Sequence, residues 1–180
     1  MIKEYKVNLT EEQEHFIEWV VGAEDFPLYS AFSDGNIFSD GNINPIFGHT
    51  LRKRVADKGD EWGEPNSDFT DMFENIFMDF CKEYDIKCNR ILRSGINFTT
   101  HQPSNSEHFI HRDHNFSHKN FLMYLNEWTG GGTRFFDDVK KLIKTVGPQK
   151  YKAIVSDGEL HTQEYCDAHQ IRVVLVVTFN

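Results

Sequence analysis

Cysteine is scarce. The 180 residues hold three, Cys81, Cys88 and Cys166, and no C-x-x-C pair. An odd, widely spaced set argues against a disulfide framework or a thiolate zinc site and for reduced thiols in a cytoplasm-like compartment. Long apolar runs are missing as well. Nothing approaches the ~20 residues that cross a bilayer, and Met1-Ile2-Lys3-Glu4-Tyr5 starts no signal-peptide core, so the expectation is a cytoplasmic protein without a membrane partner. Positive charge is in deficit. A net charge of −9 disfavours a nucleic-acid partner, because a phosphate backbone is attracted by the opposite balance. Two local basic runs, Arg52-Lys53-Arg54 and Lys140-Lys141 with Lys144, read as solvated faces.

Aromatic residues, by contrast, are plentiful: 14%, with 16 Phe, enough to fill a core or line a cleft. Thr10 and Gln13 match a capping box, and Phe16, Ile17, Val20 and Val21 follow at helical spacing, which predicts a helix over 11–21. The segment from Phe26 to Pro65 is rich in turn formers and carries a doubled hexapeptide, Ser33 to Phe38 and Ser39 to Asn44, read as tandem turns. It suits a substrate-covering lid or a plain loop, with a short strand near Ile46 to Leu51. Ser67 or Asp68 is the expected cap of a second helix. There Phe69, Met72, Phe73, Ile76, Phe77, Phe80, Cys81 and Tyr84 form one apolar stripe that needs a sheet to lie on.

After Ile86 the pattern turns to short β-rich runs: 90–98, 107–114, 120–128, 133–137, 151–156 and 171–179. Strands at this spacing without intervening helices predict an antiparallel barrel or jelly roll. Gly130-Gly131-Gly132 lacks the lysine and helix of a phosphate loop and reads as a turn.

Within these runs His111-Arg112-Asp113 puts an imidazole and a carboxylate on one face of a strand, with Arg112 turned away. A second imidazole would complete the two-His-one-carboxylate set that leaves open positions on a non-haem Fe(II). Six of the nine histidines, His101, His108, His111, His114, His118 and His169, lie near the candidate segments, and each alone reads as an ordinary residue. His161 differs, because it follows the turn Asp157-Gly158 and can begin a strand at the barrel mouth. Arg172 is the only charge in a strand apolar on both faces. A guanidinium there requires an anion, either a protein acid such as Asp137 or Glu159 or a bound carboxylate. Tyr124, alternating with Leu122 and Asn126, could share that carboxylate or be a plain core residue.

The order of these parts resembles a family. His111-x-Asp113, then Tyr124-Leu125-Asn126, then Gly130 to Phe136, His161 and, eleven positions on, Arg172 are similar to the 2-oxoglutarate/Fe(II)-dependent dioxygenases, especially their prolyl 4-hydroxylase-like branch. The resemblance covers about residues 88–180. It implies a mainly β fold with flanking helices (α+β), a double-stranded β-helix of jelly-roll, cupin-like type. It implies one domain over 1–180, with 1–87 a helical and loop part packing on the barrel and 88–180 the catalytic core. The implied iron ligands are His111, Asp113 and His161, and Arg172 and Tyr124 would meet the far carboxylate of 2-oxoglutarate. Thr133 and Asn97 would line the same pocket.

The activity so implied is O2-dependent hydroxylation of a substrate C–H bond, giving succinate and CO2, with ascorbate an optional addition. A prolyl residue of a peptide or protein is the leading substrate and a small molecule the other. Two departures stand out: Gln149, not glycine, follows Gly147-Pro148, and no second arginine follows Arg172, which again disfavours nucleic acid. The rival readings are a divalent-metal hydrolase on the same triad and a non-catalytic cupin-type binding module.

Overall fold

The computed structural model describes residues 1–31, 46–55, 61–101 and 109–180. The whole doubled hexapeptide, and about half of the segment read as lid or loop, lie outside the described residues. In chain order the elements are β1 (Lys3–Lys6), α1 (Glu11–Gly22), β2 (Tyr29–Ala31), β3 (Ile46–Arg52), α2 (Thr70–Glu83), β4 (Ile91–Thr100), β5 (Lys119–Tyr124), β6 (Thr133–Phe136), β7 (Leu142–Val146), β8 (Lys152–Ser156), β9 (Leu160–Gln163) and β10 (Ile171–Phe179).

The strands form two antiparallel sheets, a large one in the order β1-β8-β5-β10-β4-β3-β2 and a small one in the order β7-β6-β9. From β4 onward the chain alternates between them. β4, β5, β8 and β10 are central in the large sheet, β6, β7 and β9 make the small one, and an isolated bridge at His111 extends the small sheet beyond β9. This wiring is a double-stranded β-helix, the jelly roll expected from the strand spacing. The N-terminal part supplies strands as well as helices, because β1, β2 and β3 widen the large sheet on both sides.

Strand alternation divides the large sheet into two chemically distinct faces. On the outer face Ile91, Ile96, Phe98, Phe121, Met123, Val173, Leu175, Val177 and Phe179 meet Ile17 and Val20 of α1 and the stripe of α2. Phe77 lies at the centre, 5.1 Å from the Phe121 ring and 4.9 Å from that of Phe179. On the inner face Leu122, Tyr124, Ile154, Val174 and Val176 join Phe135 and Trp128 around the candidate site.

The first helix carries its capping box, Gln13 N–H donating to Thr10 Oγ1 at 3.2 Å and Thr10 N–H to Gln13 Oε1 at 3.0 Å. The second begins later than expected, with Phe69 at its N-cap and no side-chain cap. Ser67 Oγ instead accepts from Phe69 N–H at 3.1 Å and pairs with His49 Nε2 at 2.6 Å, so its hydroxyl serves the loop before the helix. Arg52, expected on a solvated face, turns inward. It grips Glu74 of α2 through two hydrogen bonds, 2.8 and 2.7 Å, and Glu74 also accepts from Ser94 Oγ at 2.8 Å, so one ion pair ties β3, α2 and β4 together.

The run 120–128 is a strand only to Tyr124, and of 107–114 the described part forms only the His111 bridge. Pattern reading passed over β1, β2 and β7, and gave β9 only as a strand that His161 could begin. These are short edge or small-sheet strands, and β7 exposes Leu142 and Ile143 where alternation would bury a residue.

Candidate metal centre and carboxylate pocket

His111 and His161 face each other across their bridge. Their backbones exchange hydrogen bonds of 3.0 and 2.9 Å, and their ring centroids are 4.6 Å apart. Each ring donates through Nδ1 to the carbonyl two residues upstream, His111 to Phe109 at 3.0 Å and His161 to Glu159 at 3.1 Å. That donation fixes the proton on Nδ1 and leaves both Nε2 atoms as lone-pair donors.

Asp113 follows on a bend, not on a strand, yet it reaches the same place. Its Oδ2 lies 3.6 Å from His161 Nε2 and makes no hydrogen bond, although the residue is 5% exposed. Its other oxygen accepts from Arg93 Nη1 at 2.9 Å and has Arg54 Nη2 at 3.5 Å. Burial opposes the charge, but the two imidazoles and two guanidiniums outweigh it and hold the carboxyl well below the usual range. Burial also pushes the His161 pKa down, against the pull of Asp113.

Two imidazoles with free Nε2 atoms and a buried carboxylate with an unpaired oxygen form a donor set that fits Fe(II) or a similar divalent ion. Among the described residues, no three His, Cys, Asp or Glu side chains are already drawn together as a metal cluster. His111 is exposed, whereas Asp113 and His161 are buried.

Arg172 sits near the start of β10, 4% exposed, and among the described residues no acid pairs with it. Its Nη1 donates to Gln163 Oε1 at 2.5 Å and its Nη2 to Thr133 Oγ1 at 3.1 Å, while Nε has no partner. Aromatic faces complete the enclosure, with Trp128 at 5.5 Å and Tyr124 at 5.8 Å from the guanidinium carbon. Tyr124 Oη and Thr133 Oγ1 share a hydrogen bond of 2.8 Å. The acids proposed as internal partners are engaged elsewhere: Asp137 accepts from Val139 and Lys141 in its own turn, and Glu159 binds the N-terminal ammonium. Desolvation pushes the Arg172 pKa down, the mark of a cation without a counter-ion.

The glycine turn builds this pocket. Gly130 has φ +96°, and a Cβ on Gly132 would lie 2.0 Å from the Val146 carbonyl, so only glycines allow the chain to pass this close to β7. Gly131 offers its carbonyl to Trp128 Nε1 at 2.8 Å, which sets the indole over Arg172.

Of the residues singled out in the sequence, His111, Asp113 and His161 converge, and Arg172, Tyr124 and Thr133 share one hydrogen-bonded cluster. Asn97 lies half-buried on β4, opposite Val174, and by alternation shares the face of Arg93 and Thr99. Gln163, Trp128, Arg93 and Arg54 were not foreseen. Only Arg54, within a basic run, carried a sequence signal, and it was read as surface.

No family model matches this sequence, and no curated protein matches it either. Solved structures do. An oxidoreductase of the 2OG-Fe(II) oxygenase family from Burkholderia pseudomallei matches over 99% of this chain and 85% of its own, with a TM-score of 0.71 at 14% identity. The chain has the 2-oxoglutarate/Fe(II) oxygenase fold. Within that oxygenase fold, a prolyl-4-hydroxylase from Pseudomonas putida matches with a TM-score of 0.57 at 14% identity, over 99% of this chain and 91% of that one. A prolyl hydroxylase from Trichoplax adhaerens, in complex with a hypoxia inducible factor oxygen degradation domain peptide, matches with a TM-score of 0.62 at 12% identity, over 99% and 82%. No helix among the described residues is long and apolar enough to cross a membrane.

Proposed function

We propose that this chain is a 2-oxoglutarate- and O2-dependent non-haem Fe(II) oxygenase that hydroxylates a substrate C–H bond. The observation that carries this reading is Arg172: a buried guanidinium with no acid partner among the described residues, walled by Trp128 and Tyr124, on the inner face of the large sheet and hydrogen-bonded to Gln163 of β9, the small-sheet strand that bears His161. A carboxylate is the ligand that makes such a cation affordable.

His111, Asp113 and His161 would hold the metal through the two Nε2 atoms and Asp113 Oδ2. Fe(II) held there would activate O2, the oxidant, with 2-oxoglutarate as co-substrate, so that one oxygen atom ends in succinate as CO2 leaves and the other on the substrate carbon. Arg172 receives the far carboxylate, and Thr133 and Tyr124 hold the guanidinium and add hydroxyl donors. Trp128, Phe135 and Val174 exclude water from that end. Arg93 orients Asp113 so that its free oxygen faces His161.

The finer assignment, a prolyl residue of a peptide or protein, rests on the likeness to prolyl hydroxylase structures, one of them holding a peptide. A cytoplasmic setting fits three free thiols. A hydrolase on the same triad gives Arg172 nothing to do, and a binding module does not call for the unpaired Asp113 oxygen.

Succinate release by the purified protein with Fe(II), ascorbate and 2-oxoglutarate tests the reading. Formation that disappears in Asp113→Ala is expected. Equal amounts from both proteins, or none from the natural chain, contradict it.

A further inference from the structure

One transverse rung of the large sheet is polar where its neighbour is not. Arg93, Thr178, Asn120 and Ser156 are register partners across β4, β10, β5 and β8, and alternation points all four to the inner face. The adjoining rung, Gly95, Val176, Leu122 and Ile154, has no polar side chain.

Asn120 is 0% exposed, yet neither its amide nitrogen nor its oxygen has a partner, and Ser156 Oγ, 1% exposed, is unpaired too. His118 joins them. Its Nδ1 donates to the Phe116 carbonyl at 2.8 Å, and its buried Nε2 is left without a partner. A buried polar group left unpaired carries an uncompensated desolvation cost. Four such atoms in one place are therefore expected to meet a polar group from outside the fold.

Charge adds a second, independent indication. Arg54 and Arg93 both address Asp113 Oδ1, at 3.5 and 2.9 Å, and among the described residues neither has another acid. Two guanidiniums thus share one carboxylate. If that carboxylate also held a divalent ion, the excess would grow, and 2-oxoglutarate would cancel only the ion's share. This end is not the Arg172 pocket, because Thr178 and Arg172 stand six residues apart on β10, roughly 20 Å at strand rise.

The geometry points to a second compartment for the primary substrate, in which Arg54 and Arg93 bind an anionic group of that substrate and Asn120 and Ser156 hydrogen-bond its polar body. The four-strand rung is about 14 Å wide at the usual strand spacing, the span of a small acid or of one residue with its neighbour. A carboxylate suits the guanidinium pair. It could belong to a free acid or to an acidic residue beside the reacting one. This inference rests on the oxygenase reading for the role of the compartment, but its anion chemistry stands apart from it.

Inorganic phosphate presumes no substrate skeleton and serves as the first probe, titrated into isotope-labelled protein presaturated with 2-oxoglutarate. The side-chain resonances of Arg54 and Arg93 are expected to shift. Arg54→Gln, at a half-exposed position that folding tolerates, should weaken phosphate at least tenfold, and Arg172→Gln should leave it unchanged. Shifts confined to other residues, or equal affinity in Arg54→Gln, overturn the proposal.

N-acetylproline, and a proline peptide with a flanking glutamate, each against its amide counterpart, then identify the source of the carboxylate. The pair that shows an acid preference dependent on Arg54 names it, and no preference in either pair counts against the compartment. Titration of 2-oxoglutarate alone, in the natural chain and Arg172→Gln, reports separately on the oxygenase reading.

Discussion

Arg172 lies against Trp128, its guanidinium carbon 5.5 Å from the indole centroid, and donates its hydrogen bonds to Gln163 and Thr133 rather than to an acid. A buried cation held only by neutral groups costs stability in the free protein and recovers it when a carboxylate arrives. Binding and stability should therefore respond to its removal in opposite ways.

Arg172→Met is expected to weaken 2-oxoglutarate binding by about 2–3 kcal/mol, roughly 30- to 150-fold, as calorimetric titration would measure. The same variant should melt at or above the temperature of the natural chain without ligand. A marked drop in melting temperature would mean that the guanidinium is already satisfied by the protein.

His114 gives the pH dependence a definite sign. Burial, then Arg54 and His118, lower its pKa from 6.5 to about 4, and its Nε2 lies 2.8 Å from Thr178 Oγ1. A depressed folded-state value means that the contribution is complete above about 6.5 and is lost as pH falls towards 4, where the folded form finally takes the proton. Denaturant midpoints between pH 4 and 7 should decline with acidity, and His114→Gln should flatten that slope.

The cysteines set the opposite limit. Burial pushes Cys81 up to about 12 and Cys88 up to about 11. Raised values mean stability fully present below about 9 and lost as pH climbs towards 11 to 12, where the folded thiols ionise. Both thiols should react slowly with a disulfide reagent at pH 8 until denaturant is added. Fast labelling of Cys81 in the folded chain would contradict its burial.

The outer core should be separable from the site. Phe77→Ala removes the ring between Phe121 and Phe179 and is expected to cost about 3–5 kcal/mol in chemical denaturation. The affinity of the remaining folded protein for 2-oxoglutarate should stay within a factor of two or three, since the inner face is built from the alternate residues of the same strands.

What the sequence disclosed follows the same division. Periodicity exposed α1, α2, β4, β5, β8 and β10, because each buries a regular stripe. It missed β7, five residues long and flanked by turns, and reached β9 only through His161, expected to begin a strand. The proposed ligand order was legible because His111 and Asp113 are two residues apart and Arg172 is a charge in an apolar strand. Asp113 comes to lie 3.6 Å from His161 from a bend, so the strand argument does not account for that closeness. Trp128 was silent and Arg54 read as surface because their partners are distant in the chain: Arg54 and Asp113 meet across 59 residues and Trp128 and Arg172 across 44. Only folding brings those pairs together.

The most direct measurement is a crystal structure of the chain grown with Mn(II) and 2-oxoglutarate, with the metal located by anomalous scattering. The account predicts one metal bound by His111 Nε2, His161 Nε2 and Asp113 Oδ2, and the far carboxylate of 2-oxoglutarate on Arg172 and Thr133. Metal bound without His161, or a dicarboxylate that leaves Arg172 untouched, would contradict it.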